Sequence, residues 1–403
     1  MEFQVTNKAK TVTTVLMVIG IVFTGIGVVF AMGEGGHLGQ KFLANLLVNS
    51  FFFFAIGISA LFFLALQYAT ESGWFAAIKR PIEAIAGYLP LGMGFLVLTL
   101  LTLSFMNGGH VYMWMDPEVM SEDGSHYDEL AAGKGAYLNQ TFFWVRTIAY
   151  LGVYYIFLKG FQKRSVLQDS NPEQAVDLHF KNYKKGALFL VFFAVFSSTS
   201  SWDWIMSIDV HWFSTLFGWY IFAGAWCSSM VVLVLLIFYL KKLGYLPKVN
   251  DSHIHDVGKW VFATSFLWAY LFFSQYMLIW YANIPEETTY YLMRIESYKL
   301  VYFGMFFINF AFPMLILMSR DAKRNAGILT FVGLVILAGH WLDVWVMVMG
   351  GSMGPTASFG FMELGMVLLF LGIFVKVILG NLTKTALTPV NHPYLDESLH
   401  HEI

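Results

Sequence analysis

Ten stretches of this chain are apolar almost without interruption, at residues 12–32, 43–69, 85–106, 139–158, 186–206, 212–240, 260–281, 300–318, 326–349 and 358–380. A helix needs about 20 apolar residues to cross a hydrocarbon core of about 30 Å, and each stretch meets that length. Of the fifty charged residues, only Arg146, Asp203, Asp343, Glu363 and Lys376 fall inside these runs. The pattern predicts an all-α polytopic membrane protein with ten transmembrane helices, spans 1 to 10. The first run reads as a retained helix rather than a signal peptide, because no small-residue cleavage site ends it and many similar runs follow.

The loops add an orientation. Nineteen Lys and Arg residues fall on the side holding both termini, against Lys41, Lys134, Arg294 and Lys299 on the other. Basic residues stay in the cytoplasm, so both termini are expected there. Trp114, Trp144, Trp202, Trp204, Trp212, Trp280 and Trp345 then cluster near the outer interface, where an aromatic belt is the expected role. The basic segment 159–185 is long enough to lie on anionic headgroups, and the tail 381–403 reads as a surface extension. The outward segment 107–138 holds Asp116, Glu118, Glu122, Asp123, Asp128 and Glu129 against Lys134. It reads either as a solvated loop or as a docking surface for a basic or cationic partner.

Composition narrows the class further. The chain is 58% hydrophobic and 12% charged, where a soluble chain carries about 25% charged residues. A net charge of −2 offers no basic field for nucleic acid. The single cysteine, Cys227, leaves no internal disulfide, no CxxCH haem attachment and no four-thiolate cluster. Any redox metal is therefore expected in a partner.

Span 5 ends in Trp202-Asp203-Trp204-Ile205-Met206, and span 9, four later, ends in Trp341-Leu342-Asp343-Val344-Trp345-Val346-Met347. Span 3 runs out through Trp114-Met115-Asp116-Pro117-Glu118 and span 7 through Trp280-Tyr281-Ala282-Asn283-Ile284-Pro285-Glu286. The match suggests two parallel four-helix bundles, spans 2–5 and 6–9, with spans 1 and 10 outside the repeat. The expected divisions are 1–42 with span 1, 43–206 as the first bundle, 207–349 as the second, and 350–403 with span 10 and the tail.

Ionisable groups inside a membrane are functional candidates by default, since each costs several kcal/mol unless paired or hydrated. At about 1.5 Å per residue, Arg146, Asp203, Asp343 and Glu363 lie roughly 5 to 11 Å inside the outward ends of their spans. Lys376 sits near the cytoplasmic end of span 10 and can snorkel. His340 and Asp343, three apart on one helix face, are placed to share a proton, either as a relay or as a buried structural pair. Asp203 follows the hydroxyl-rich run 197–201, which offers either hydrogen bonds or small-residue packing. Arg146 needs a carboxylate, and Asp203 on the next antiparallel helix is the natural one. His110, Asp209 and His211 lie at the outward mouth and read chiefly as interface residues. Towards the cytoplasm the spans offer Gln67, Tyr68, Ser228, Ser229, Thr264, Ser265 and Asn309 but no acid, so no continuous carboxylate wire is expected.

The run Ser197-Ser198-Thr199-Ser200-Ser201-Trp202-Asp203-Trp204-Ile205-Met206-Ser207-Ile208-Asp209-Val210-His211-Trp212 is followed by Phe217-Gly218-Trp219-Tyr220 and, further on, Trp280-Tyr281-Ala282-Asn283-Ile284-Pro285-Glu286-Glu287. With these motifs the chain resembles the NrfD/PsrC-like membrane subunits over nearly its whole length, most of all the ActF branch of alternative complex III. The resemblance implies a cofactor-free integral subunit of a bacterial quinol:cytochrome c oxidoreductase in the inner membrane. It implies a homologous membrane subunit, an iron–sulfur subunit and haem c cytochrome subunits as partners. By position it makes His110, Arg146 and Asp203 the quinone-facing candidates. The longer homologous subunit is the better seat for quinol oxidation, which leaves this chain a scaffold with a proton-conducting outward half-channel built from His340, Asp343 and Glu363, with Asp203 and Arg146 as further relay candidates. No catalytic or metal-ligating residue is expected in the chain itself. The other class that ten spans and a repeat permit is a secondary transporter, although Pro313 in span 8 lacks a counterpart in span 4.

Overall fold

The computed structural model describes residues 2–32, 38–106 and 111–402. Ten helices are long and apolar enough to cross a membrane: Asn7–Ala31, Leu38–Ala69, Trp74–Phe105, Gln140–Ser170, Pro172–Ile208, Phe217–Lys242, Asp251–Ala282, Lys299–Leu317, Ala326–Thr356 and Phe361–Leu382. These are spans 1 to 10, and no strand occurs among the described residues. The chain is an all-α, multi-pass membrane protein. Its terminal face carries both chain ends, and its loop face carries residues 111–139.

Side chains set where several helices begin. Asn139 accepts from the Phe142 amide, Asn250 from Ser252 and His253, and Asn325 from Gly327 and Ile328, each satisfying amides that the first turn leaves open. The helices outrun the apolar stretches. Segment 159–185, expected to lie along the headgroups, instead continues spans 4 and 5 beyond the apolar zone and turns only at Asn171-Pro172. Hydropathy falls where the charges begin, but Phe161, Ser165 and Gln168 keep a buried helical face, and Arg164 Nε donates to Asn182 Oδ1 across the hairpin at 2.5 Å. Span 3 likewise starts at Trp74, about three helical turns before the apolar run.

Span 2 is the axis of the molecule and is buried along almost its whole length. It packs on spans 3 and 5, and span 4 closes that ring against both; spans 6, 7, 8 and 9 close a second ring, and span 2 touches spans 6 and 9 where the rings meet. Spans 1 and 10 pair along a seam of Gly20, Gly27, Gly365 and Gly372. A Cβ on Gly365 would stand 2.3 Å from the Thr24 amide nitrogen, so only glycine permits this approach. Span 8 is interrupted by a π-turn at Phe307–Ala311, because Pro313 has no N–H to give the Asn309 carbonyl.

Two expectations about the surface change. Trp114, Trp204, Trp212 and Trp345 are not a belt but are buried in the interior, Trp204 donating to Thr147 Oγ1 at 3.1 Å; Trp280 alone of the seven is well exposed. The tail is packed rather than projecting. Ser398 Oγ donates to the Trp74 carbonyl and accepts from the Ala77 amide, and His401 meets Asp256 at 2.6 Å, so residues 387–402 bind both rings at the terminal face.

Candidate functional site

Two polar centres lie in the loop-face half, one in each ring, at the matching aspartates of spans 5 and 9. In the first, Arg146 and Asp203 do meet. Arg146 Nε and Nη2 donate to the two carboxylate oxygens, each at 2.8 Å, and Tyr150 OH adds a third bond at 2.9 Å. The remaining guanidinium nitrogen donates to the Tyr137 carbonyl at 3.2 Å, and the group lies 3.9 Å over the Tyr137 ring and 4.1 Å over that of Phe142. Asp203 is fully buried. All three guanidinium nitrogens and both carboxylate oxygens are engaged, so the pair clamps span 4 to span 5. His110, the third quinone-facing candidate, lies outside the described residues.

The second centre is built differently. Asp343 on span 9 is 4% exposed and is held by neutral donors only: Tyr220 OH from span 6 on one oxygen and Trp268 Nε1 from span 7, at 2.9 Å, on the other. Among the described residues no cation pairs with it. Sequence spacing pointed to a proton shared with His340, but no hydrogen bond joins the two side chains. The imidazole stands edge-on to Trp268, 5.4 Å between centroids, and neither of its nitrogens has a protein partner. What joins them is a cavity of ≈ 20 Å³, room for about one water, lined by Ser228, His340 and Asp343.

A second cavity of ≈ 10 Å³ reaches Asp343 from the loop face, lined by Tyr220, Gln275, Tyr290, Arg294 and Tyr302. Arg294, read from the sequence as an ordinary outward loop charge, is 1% exposed. It donates to Asp209 Oδ2 at 2.7 Å and to the Met347 carbonyl at 3.1 Å, with its guanidinium 3.4 Å over the Tyr290 ring. Local chain geometry puts it there: span 7 ends at Asn283 in the left-handed region, φ 49°, and Pro285 starts the short helix Pro285–Ser297 that carries the arginine back inward. Two features of the sequence hinted at this role. The Tyr290-Tyr291 pair precedes Arg294 by one helical turn, and Asp209 waits on the opposite loop. A third cavity of ≈ 30 Å³ lies beside Ser59, Tyr154, Ser197, Ser200 and Ser201 in the first ring. It shares Phe51, Ala55, Ile221 and Ala225 with the His340 cavity.

Glu363 does not join this set. It caps its own helix, accepting from the Gly360 amide at 2.8 Å and from Asn45 Nδ2 at 2.9 Å, with Lys41 Nζ 3.9 Å away. An acid at the first turn of a helix meets four open amides, and Glu363 answers them rather than facing Asp343. The acidic loop divides in the same way. Asp116 and Asp128 are helix caps, and Asp128 also meets His211 at 2.5 Å. Glu118 is exposed but accepts from Ser125 Oγ at 2.6 Å; Glu122, Asp123 and Glu129 are also exposed. Among the described residues no three His, Cys, Asp or Glu side chains gather as a metal site.

The terminal half holds an acid that the apolar-run reading left in a loop. Glu83 of span 3 is 8% exposed and accepts from Arg80 Nη1 at 2.7 Å and Ser165 Oγ at 2.6 Å, with Lys79 Nζ at 3.8 Å. Arg80 also pairs with Asp169. The expectation of no acid on this side is therefore corrected. Lys79 and Arg80 meet Glu83 at helical spacing, and Asp169 of span 4 supplies the second carboxylate, so the helix can carry these charges inward among Ala76, Ala77, Ile78, Ile82, Ala84 and Ile85.

No protein-family model matches the chain, nor does any curated protein. Of the residues in these centres, run 197–212 holds Asp203 and Asp209 and run 280–287 turns the chain towards Arg294, while Arg146, Tyr220, Trp268, His340 and Asp343 lie outside both.

Proposed function

We propose that this chain is an integral membrane subunit that moves protons through a loop-face half-channel running by way of Asp343 to His340, serving electron transfer in partner subunits of a quinol:cytochrome c oxidoreductase of the alternative complex III type. The observation that carries the proton role is a buried carboxylate without a cation, set between two water-sized cavities. Such a group takes up and returns a proton without breaking an ion pair, and the order Arg294 with Asp209, cavity, Asp343, cavity, His340 with Ser228 supplies hydroxyl, carboxylate and imidazole stations. The assembly role rests on the resemblance: a quinone as substrate of the complex, iron–sulfur clusters and haem c in partners, and a bacterial inner membrane; the cytoplasmic terminal face rests on the distribution of Lys and Arg. The exposed acids Glu118, Glu122, Asp123 and Glu129 suit a basic partner on the outer side.

Secondary transport is the second reading, and the interrupted span 8 is the feature that favours it. Against it, the polar cavities hold about one or two waters each, too small for a solute. Purification in mild detergent separates the readings: c-type haem and iron–sulfur proteins travelling with the chain support the complex, and a colourless solitary protein supports transport. Asp343→Asn in the assembled complex is then expected to lower proton release or turnover at least tenfold with haem content unchanged, on the scale of about 1.4 kcal/mol per tenfold. Unaltered proton yield and turnover would end the relay proposal.

A further inference from the structure

Near the terminal face the glycine seam draws span 1 against span 10 and away from span 6, and the gap remains as a lateral groove of ≈ 710 Å³. That is the size of a small-molecule site, about 300–1,000 Å³, and far larger than the polar cavities. Its walls are the apolar faces of spans 1, 6, 9 and 10, among them Val12, Leu235, Leu337, Phe374 and Ile378. Along span 6 it runs from Val232 to Leu243, about 16 Å of helix. One leaflet of a hydrocarbon core of about 30 Å is about 15 Å deep, so the groove spans the distance from one interface to the bilayer midplane.

Its polar end has one sign of charge. Lys8 and Lys242 line it and are exposed, and the Thr6 and Tyr239 hydroxyls meet at 3.4 Å on the same wall. No Asp, Glu or His lines it, so nothing there would take protons from a quinol, and nothing repels a phosphate. The floor is held by the N-terminal residues: Phe3 is buried against the Tyr245 ring, 5.2 Å between centroids. We propose that this groove is a binding site for an anionic glycerophospholipid, with an acyl chain along spans 1, 6 and 10 and the phosphate between Lys8 and Lys242. Basic pockets between helices at a membrane face recognise such headgroups by charge, while the acyl chain supplies the apolar burial. The site is independent of the proton pathway, because its walls and the Asp343 cavities share no residue.

The test uses the full chain with the subunits it carries, purified in mild detergent and depleted of lipid. Phosphatidylglycerol and phosphatidylcholine with identical acyl chains are titrated while thermal stability and retained lipid are measured. Phosphatidylglycerol is expected to bind preferentially and raise the melting temperature. Lys8→Gln with Lys242→Gln should weaken it about fivefold per lysine, from about 1 kcal/mol for each basic group, and leave phosphatidylcholine unchanged. Ala9→Trp, or Leu337→Trp if the first variant fails to fold, should fill the groove and abolish retention of the anionic lipid. Equal binding of the two lipids would overturn the proposal. So would an unchanged phosphatidylglycerol affinity in the double lysine variant, or displacement of the bound lipid by a short-chain quinone at equal concentration.

Discussion

Two aspartates at equivalent helix ends have different chemistry because their neighbours differ. Asp203 has a bidentate guanidinium and a tyrosine; Asp343 has a tyrosine and an indole. Removing one partner of a buried ion pair strands the other, at a cost of about 3–5 kcal/mol, whereas replacing both by apolar groups is often neutral. Arg146→Met alone is thus expected to lower the yield of folded protein and its melting temperature sharply, and Arg146→Met with Asp203→Leu to recover most of the loss. Thermal denaturation of the three proteins checks this, and equal losses would show that the pair is not a clamp. Asp343, with no charge partner to strand, is not expected to show this coupling to any arginine.

At the scale of the element, glycine placement decides how span 1 is held. Gly20, Gly27, Gly365 and Gly372 leave no room for a Cβ, while nothing lies within 4 Å of a Cβ built on Gly25 of the same helix. Gly365→Leu must therefore push span 1 off span 10, an overpacking cost of about 1–3 kcal/mol, while Gly25→Ala should be neutral. Limited proteolysis of span 1 and thermal stability read the difference; similar behaviour of the two variants would mean that the seam is not the joint. The glycines were visible in the sequence, but which face each occupies, and that spans 1 and 10 choose one another, depends on the packing of the whole. Helix length shows the same division: the apolar runs located all ten helices, yet missed the extensions that carry Arg164, Gln168 and Glu83.

At the scale of the whole molecule, the tail links the two rings. His392 is 4% exposed and stands against Phe75 and His179, and burial, together with the charges of Lys79, His179 and Arg80, pushes its pKa down to about 2. The docked tail therefore keeps this imidazole neutral, while a released tail titrates near pH 6.5, at about 1.4 kcal/mol per pH unit. Docking should be complete above pH 6.5 and weaken progressively as the pH falls below it. Hydrogen exchange of residues 387–402 between pH 7.5 and 5 follows the release, and His392→Asn should flatten the profile. A tail equally protected across this range would refute the linkage.

The sequence by itself determined ten helices long and apolar enough to cross a membrane, because a helix satisfies its own backbone in a bilayer and the chain offers ten such runs. It also marked Arg146, Asp203 and Asp343, because a charge inside an apolar run has few reasons to be there, and it paired the first two through the adjacency of consecutive helices. Tertiary structure decided what those charges do. That Asp343 receives two neutral donors depends on Tyr220 and Trp268, which arrive from spans 6 and 7. That Arg294 is buried depends on a helix turning back after Asn283, and that Glu363, which caps its own helix, also accepts from Asn45 depends on span 2 packing against span 10. Periodicity and hydropathy record how each segment meets its solvent; the partners of a buried polar group are set by distances between segments, which no local pattern contains.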